Sequence, residues 1–320
     1  MKSRHLALLL SSLALGAAGT ARAEVAIVLN SGDHSLSLID TATYQEVERL
    51  PIGKEPHHLM ATPDDRYLIV ANAAGNDLVF LDPVLGREQQ RLSAISDPYQ
   101  IGFSPDRRWF VATSLRLDRV DLYHAADFKL AQRVALPKAP SHLAFDRQSQ
   151  YVFVTLQESN QVAAIDLATR ETKWILNVGP TPAGIWMTPD DRYLLIGVMG
   201  SDYVEVIDWR TAKTHARIRT AMGAHNFLPM GDGRRVLVSN RVANSVSIID
   251  QLDLRTLETF TVPGGPDCME LRKDGTELWV TSRWNKRVTI VDMATKKIKH
   301  SIPVGRSPHG IYFHSHAPRL

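Results

Sequence analysis

The stretch Pro56-His57-His58-Leu59 recurs in altered form along the chain at a constant spacing of 42 residues. Each copy begins with proline or alanine and continues with two variable residues and an apolar one. The other copies begin at Pro98, Pro140, Pro182, Ala224, Pro266 and Pro308. Self-similarity at a fixed period of this length indicates a repeat architecture.

A second sequence marker recurs with the same spacing of 42 residues. It is an aspartate that follows an apolar residue, and it stands at Asp40, Asp82, Asp166, Asp208, Asp250 and Asp292. Only His124 departs from this series. Because two independent markers stay in register along the chain, the sequence predicts seven copies of one structural unit.

Each unit has the pattern of four short strands joined by turns. The segment Thr62-Pro63-Asp64-Asp65 is typical of a turn, since proline presets φ and aspartate bonds the following backbone. An apolar strand, Tyr67-Leu68-Ile69-Val70, follows it, and a third strand ends at the aspartate marker. Four strands per unit without a helical period predict one blade of a β-propeller.

The chain length predicts how the ring closes. Residues 24–320 accommodate seven units of 42, beginning at the second strand of a unit and ending just after a first strand at 308–313. We therefore expect an all-β domain over residues 24–320, a seven-bladed β-propeller of four-stranded repeats. Pairing of the C-terminal strand with the N-terminal blade would close it and remove the open sheet edges.

Residues 1–23 have the features of an export signal. Lys2 and Arg4 precede an apolar stretch at 6–19, and Ala21-Arg22-Ala23 provides the small-residue pattern of a cleavage site. We expect cleavage after Ala23 and a periplasmic or secreted protein. Any ligand or protein partner would then be met outside the cytoplasm.

The charge balance argues against nucleic acid as a partner. The whole chain carries 37 basic and 34 acidic residues, and three of the basic ones lie in the export segment. The mature chain is thus neutral and offers nucleic acid no electrostatic footprint. No later stretch reaches the roughly 18 apolar residues of a membrane span.

The single Cys268 cannot form an intramolecular disulfide, so a large core must hold the fold.

Two segments resemble a known repeat. The stretches Arg241-Val242-Ala243-Asn244-Ser245-Val246-Ser247-Ile248-Ile249-Asp250 and Trp279-Val280-Thr281-Ser282 are similar to the repeat core of the YVTN family of bacterial β-propellers. The resemblance covers the mature chain. Related propellers include haem d1-binding domains, sugar-lactone hydrolases and streptogramin-type lyases, so the resemblance implies a fold more than an activity.

The best candidate site is the mouth of the central channel, where loops from all blades should converge. On four successive blades the residue after the proline or alanine is His225, Asp267, His309 and His57. Three imidazoles and one carboxylate could ligate zinc, copper, iron or nickel, or could act as an acid–base pair. The imidazoles could equally bond loop carbonyls and have a structural role.

Further candidates surround this set. His58 and His142, with Cys268, lie one residue further along their strands, and the loops add Arg241, Arg283 and Trp284 as ligand-binding candidates. The acidic residues expected near the mouth are Asp267, Glu270 and Glu158. His314 and His316 read as a solvated tail on the opposite face.

Three functions remain open. The first is a non-enzymatic module that binds a ligand or a periplasmic protein through the top face and channel mouth. The second is a protein that handles a transition metal or a haem-type cofactor with the histidine and aspartate cluster. The third is a metal-dependent lyase or lactonase. A closed propeller needs no second copy, so we expect a monomer.

Overall fold

The computed structural model describes residues 24–319, and the predicted export segment lies outside them. Within this range the chain forms strands joined by tight turns, with two short 3-10 turns at Ser31–Asp33 and Arg283–Asn285. None of the helical segments in this part of the chain is long and apolar enough to cross a membrane.

The strands, numbered in chain order, are β1 (Val25–Asn30), β2 (Ser35–Asp40), β3 (Gln45–Pro51), β4 (Pro56–Ala61), β5 (Leu68–Asn72), β6 (Asp77–Leu81), β7 (Glu88–Ser93), β8 (Gln100–Phe103), β9 (Trp109–Ser114), β10 (Arg119–His124), β11 (Leu130–Ala135), β12 (Pro140–Phe145), β13 (Tyr151–Leu156), β14 (Gln161–Asp166), β15 (Glu171–Asn177), β16 (Pro182–Met187), β17 (Tyr193–Val198), β18 (Tyr203–Asp208), β19 (Lys213–Arg219), β20 (Ala224–Pro229), β21 (Arg235–Asn240), β22 (Ser245–Asp250), β23 (Arg255–Thr261), β24 (Pro266–Leu271), β25 (Glu277–Ser282), β26 (Arg287–Asp292), β27 (Lys297–Pro303) and β28 (Pro308–Tyr312).

These strands form seven antiparallel four-stranded sheets, one per blade. Blade 1 contains β28, β1, β2 and β3, and blades 2 to 7 follow in order from β4–β7 to β24–β27. In blade 1, Ile311 of β28 lies opposite Val28 of β1, and Tyr312 lies opposite Ile27. The prediction of a seven-bladed propeller closed by the C-terminal strand is confirmed.

The hydrophobic core lies between neighbouring blades. Buried apolar side chains form one cluster at each of the seven blade junctions. At the closing junction, Trp279 and Ile290 of blade 7 pack with Val28 and Phe313, next to β28 of blade 1. Burial of this apolar surface is the main stabilising term in such a fold.

The aspartate markers cap turns. Oδ1 of Asp40 accepts hydrogen bonds from the backbone N–H groups of Ala42 and Thr43, both at 2.8 Å. The same pair of bonds recurs at Asp82, Asp166, Asp208, Asp250 and Asp292. His124 is exposed and stacks instead on Trp109, with ring centroids 5.3 Å apart.

The innermost strands begin irregularly. In β24 the pairing register with β25 shifts between Pro266 and Met269, and β12, β16 and β20 show the same irregularity. A bulge of this kind interrupts the alternation of side chains along a strand. It explains how the consecutive residues Asp267 and Cys268 both reach groups around the channel.

The C-terminal tail packs against the face opposite the channel mouth. The N–H of Ala317 donates to the carbonyl of Leu271 at 2.7 Å, and His316 is half-buried against Tyr312. The expectation of a solvated tail is therefore wrong for His316, because backbone bonding to β24 draws the segment onto the protein. His314 is exposed, as expected.

Candidate functional site

A closed ring of side chains lines the channel mouth. The His57 ring stacks between Tyr99 and His309, with centroids 3.8 and 3.9 Å away. His142 meets His225 edge to face at 5.3 Å and Tyr99 at 6.0 Å. Asp267 fills the gap between the two ends. We call these six residues the mouth ring; its four histidines and its aspartate are buried.

Asp267 is the most highly bonded member of the mouth ring. Its Oδ2 accepts from Nη2 of Arg241 at 2.6 Å and from Nη1 of Arg283 at 3.2 Å. Its Oδ1 accepts from Nδ2 of Asn226 at 3.0 Å and lies 3.2 Å from Nδ1 of His225. The carboxylate thus joins side chains of blades 6 and 7, and a charge buried with this many partners is well satisfied.

Two histidines tie neighbouring blades together. Nδ1 of His57 lies 2.9 Å from the carbonyl oxygen of Tyr99, and Nδ1 of His309 lies 2.6 Å from that of His57. Because a carbonyl only accepts, each Nδ1 carries the proton and each Nε2 presents its lone pair. These are the bonds to loop carbonyls that a structural role of the histidines predicts. They do not use the Nε2 atom of either ring.

Nε2 of His309 has no hydrogen-bond partner although it is buried. Oδ2 of Asp267 lies 3.7 Å from it, which is too far for a hydrogen bond. A buried polar atom without a partner costs roughly 1–3 kcal/mol. Such an atom at the wall of a channel is placed to bond a water molecule or a ligand.

Burial keeps the channel histidines neutral. It lowers the pKa of His309 to about 4, although Asp267 opposes this shift, and it lowers the pKa of His58 and His142 to about 3. The pKa values of His57 and His225 also fall well below their usual range, chiefly through burial. All five imidazoles can therefore act as lone-pair donors at neutral pH.

Asp267 stays ionised despite its burial. Burial alone would raise the pKa of this carboxyl, but the charge of Arg241, together with His309, His225 and Arg283, holds it well below its usual range. Two guanidinium groups then face one carboxylate. In residues 24–319 neither arginine has another ion pair within 4.0 Å, so the channel mouth carries an excess of positive charge.

A cavity of about 130 Å³ lies below the mouth ring along the channel axis. It is lined by polar groups of the innermost strands and by the tail, namely His57, His58, Gln100, His142, Asn226, Cys268, His309 and Arg319, with Leu59, Met269 and other apolar residues between them. At the far end Nη2 of Arg319 bonds Oε2 of Glu270 at 2.6 Å.

Cys268 contacts two of the polar side chains of this cavity. Its Sγ lies 3.5 Å from Nδ2 of Asn226 and 3.6 Å from Nδ1 of His309. One ligand atom each from Asp267, Cys268 and His309 lie within 4.8 Å of one another. The metal set expected from the sequence forms an arc along the mouth ring, and this tighter group includes two of its members.

The chain matches the model of the YNCE-like β-propeller family over residues 6–319, which is nearly its whole length. It belongs to the YNCE-like β-propeller family. No curated protein matches this YNCE-like sequence significantly.

Solved structures similar to this YNCE-like propeller share its fold at low sequence identity. A functionally unknown protein from Desulfotomaculum acetoxidans DSM 771 has a TM-score of 0.77 and 15% identity, over 91% of this chain and 99% of that one. The dihydro-heme d1 dehydrogenase NirN, in complex with DHE, has a TM-score of 0.66 and 15% identity, over 90% and 75%. Hydrazine synthase of Kuenenia stuttgartiensis has a TM-score of 0.66 and 17% identity, over 79% and 87%.

Other predicted site residues lie further from the mouth ring or bond elsewhere. Nδ1 of His58 lies 3.4 Å from the N–H of Ile101, one level deeper in the channel. Trp284 is 54% exposed, and its ring covers Gly265. Glu158 is exposed, whereas Glu270 is buried with Arg319, so neither joins Asp267.

Two contacts of this YNCE-like site escaped the sequence analysis. Tyr99 closes the mouth ring by stacking on His57, although a tyrosine in the histidine position reads as a break in the series. Nδ1 of His142 lies 3.1 Å from Oγ of Ser141, but this serine is fully buried and also bonds Thr155. The 42-residue register could have suggested the first contact, since it places both rings on adjacent blades.

Proposed function

We propose that this protein is an exported, non-enzymatic binding protein that holds a small anion at its channel mouth through Arg241 and Arg283. The observation that carries the proposal is the pair of guanidinium groups on the single carboxylate of Asp267. A carboxylate or a phosphate is the ligand chemistry that such groups recognise.

The charge of the mouth supports an anion over a cation. The five channel imidazoles are neutral at pH 7, so Asp267 neutralises only one of the two arginines. Arg241 and Arg283 are 15% and 27% exposed, and this partial burial weakens solvent screening. An anion reaching the mouth would meet an uncompensated positive charge in a site of reduced dielectric constant.

Hydrogen-bonding capacity supports the same ligand. Nη2 of Arg241 bonds Asp267 and His225, whereas its Nη1 has only a contact of 3.7 Å with Sδ of Met199. Arg283 bonds Asp267 through Nη1, and its side chain remains partly open to solvent. Guanidinium donors that are not used within the protein can bind both oxygens of a carboxylate in a planar, two-point arrangement.

The geometry favours binding over catalysis. A metal-dependent lactonase would need several carboxylates close together in the channel. Asp267 instead forms ion pairs with Arg241 and Arg283, and Glu270 forms one with Arg319. Ser141, the hydroxyl next to His142, is fully buried and out of reach of a substrate. Within residues 24–319 the repeats are short and uniform and carry no long insertion that could form a lid.

A haem-type cofactor does not fit the channel. The cavity of about 130 Å³ is well below the roughly 300–1,000 Å³ of pockets that hold drug-sized ligands. The mouth ring also closes its upper end with side chains in mutual contact. We therefore derive no role for a macrocycle from this site.

A calorimetric titration of the mature protein tests the proposal. The probes are acetate, benzoate and inorganic phosphate, each at low ionic strength, where charge attraction is least screened. We expect one of them to bind with one-to-one stoichiometry. In Arg283→Gln, which keeps a donor for Asp267, the affinity should fall by about tenfold or more.

The matched control is Arg306→Gln, an exposed arginine that pairs with Asp33 on blade 1. Its affinity for the same probe should equal that of the wild type. No binding of any probe by the wild type, or equal binding by Arg283→Gln, would contradict the proposal.

A further inference from the structure

The cavity below the mouth ring has a donor chemistry distinct from that of the arginine pair. Its walls carry imidazole nitrogens, a thiol and a thioether residue, from His57, His309, Cys268 and Met269. The lining does not include Asp267, Arg241 or Arg283. Neutral nitrogen and sulfur donors of this kind favour soft metal ions over hard ones.

Two side chains that line this cavity, His309 and Cys268, carry atoms that can ligate a metal ion. Nε2 of His309 is buried without a partner, and Nδ1 of the same ring is fixed by the carbonyl of His57. A histidine that ligates metal through one ring nitrogen commonly donates its other N–H to a backbone carbonyl or carboxylate, which sets ring orientation and tautomer. His309 has this arrangement.

Cys268 supplies the second atom. Its Sγ lies 3.6 Å from Nδ1 of His309 and 3.5 Å from Nδ2 of Asn226, and one ligand atom each from Asp267, Cys268 and His309 lie within 4.8 Å of one another. Sγ faces Nδ1, which is bonded to the carbonyl of His57. Bonds of about 2.0–2.3 Å from one ion to Sγ and Nε2 therefore require the cysteine side chain to rotate toward Nε2.

Asp267 belongs to the same group but is a poor ligand. Both of its oxygens already accept from Arg241, Arg283 and Asn226. Binding through this carboxylate would break charge-assisted bonds. It can instead offset the charge of a nearby cation, at 3.7 Å from the ring of His309.

We propose that the channel cavity binds one copper(I) ion, ligated by Sγ of Cys268 and Nε2 of His309. Copper(I) combines a single positive charge with a preference for thiolate and imidazole ligands. The low charge matters because two arginines lie beyond Asp267. The ligands proposed for copper(I) differ from those proposed for the anion, although Oδ2 of Asp267, which bonds both arginines, lies 3.7 Å from Nε2 of His309.

An anaerobic titration of mature protein with copper(I), in competition with a chromophoric copper(I) chelator, tests the site. We expect one equivalent to bind, and X-ray absorption at the copper edge should show sulfur and imidazole ligands. Cys268→Ser keeps the size of the side chain and should weaken copper(I) binding by at least about tenfold.

Two further variants keep the test decisive. His309→Gln retains an amide that can donate to the carbonyl of His57, so it should fold and still lose affinity. His314→Gln changes an exposed histidine on the opposite face and should bind copper(I) like the wild type. Melting curves establish that each variant is folded.

Three results would overturn the proposal. They are no uptake by the wild type, equal uptake by Cys268→Ser, or a zinc(II) affinity that exceeds that for copper(I) at this site. Arg283→Gln, which weakens only the anion site, should bind copper(I) with unchanged stoichiometry. The failure of one proposal therefore remains distinguishable from the failure of the other.

Discussion

Nη2 of Arg241 lies 2.6 Å from Oδ2 of Asp267 across the junction of blades 6 and 7. Arg241 follows β21 in a loop of blade 6, and Asp267 is the second residue of β24, the innermost strand of blade 7. The ion pair is therefore part of the ring that holds the blades together as well as of the candidate site. Its removal should affect both stability and binding.

Asp267→Asn should destabilise the protein by about 3 kcal/mol or more, because it leaves two partly buried guanidinium groups without a counter-charge. Urea unfolding at pH 7 measures the change. The control is Asp33→Asn on the exposed Arg306 pair, which should cost less than about 1 kcal/mol. Equal costs for the two substitutions would mean that Asp267 is not a buried structural charge.

Glu277 makes the closing junction sensitive to acid. Its Oε1 accepts from Tyr44 of blade 1 at 2.7 Å and from Lys299, and its Oε2 accepts from Arg272 and Trp279. Burial would raise its pKa, but these partners lower it from 4.5 to about 2. A lowered folded-state pKa gives stability that is present above pH 4.5 and lost as the pH falls through about 2.

Glu277→Gln should therefore be less stable than the wild type at pH 7, by about 3 kcal/mol at most. The difference should shrink below pH 4.5 and vanish near pH 2, as followed by urea unfolding at several pH values. Glu258→Gln, at an exposed pair with Lys296, is the control and should show no such trend. A pH-independent difference for Glu277→Gln would contradict the assignment.

The aspartate caps should stabilise the fold more than His124, the residue that stands in place of one of them. Asp250 is buried and bonds two backbone N–H groups and Arg234, so Asp250→Ala should cost roughly 1–2 kcal/mol. His124→Ala removes only a stacking contact with Trp109 on the surface and should cost less. Thermal unfolding of both variants measures the difference, and a reversed order would refute the capping role.

Removal of 308–320 should open the ring. The truncated chain would lose β28 and leave β1 as an unpaired edge, which is a template for association with other chains. We expect a lower melting temperature and more self-association than in the full chain, measured by size-exclusion chromatography with light scattering. Removal of 314–320 alone keeps β28 and should not cause association; equal behaviour of the two truncations would contradict the closure.

The fold could be predicted from the sequence because its main interactions repeat. The proline starts and aspartate caps use local backbone chemistry that returns every 42 residues, and the chain length indicates β28 as the closing strand. The tail was mispredicted at His316 because it follows the last repeat and has no register. The position of the tail depends on a backbone hydrogen bond from Ala317 to Leu271, which no local sequence pattern predicts.

The candidate site was only partly predictable. The register places His225, Asp267, His309 and His57 on successive blades, and these side chains do meet in the mouth ring. The 42-residue register does not predict which atoms form hydrogen bonds. These bonds depend on the bulge at the start of each innermost strand and on the rotation of the side chains. The saturation of Asp267 by Arg241 and the free Nε2 of His309 are therefore visible only in the structure.

The central claim is that the arginine pair holds a small anion, and native mass spectrometry of the protein isolated from its own host tests it most directly. We predict a mass above that of the polypeptide alone, with an excess that is lost on denaturation, kept in Arg306→Gln and absent from Arg283→Gln. A bound copper ion would be recognised by its own mass and would depend on Cys268. A bare polypeptide mass, or an excess organic mass that persists in Arg283→Gln, would contradict the account.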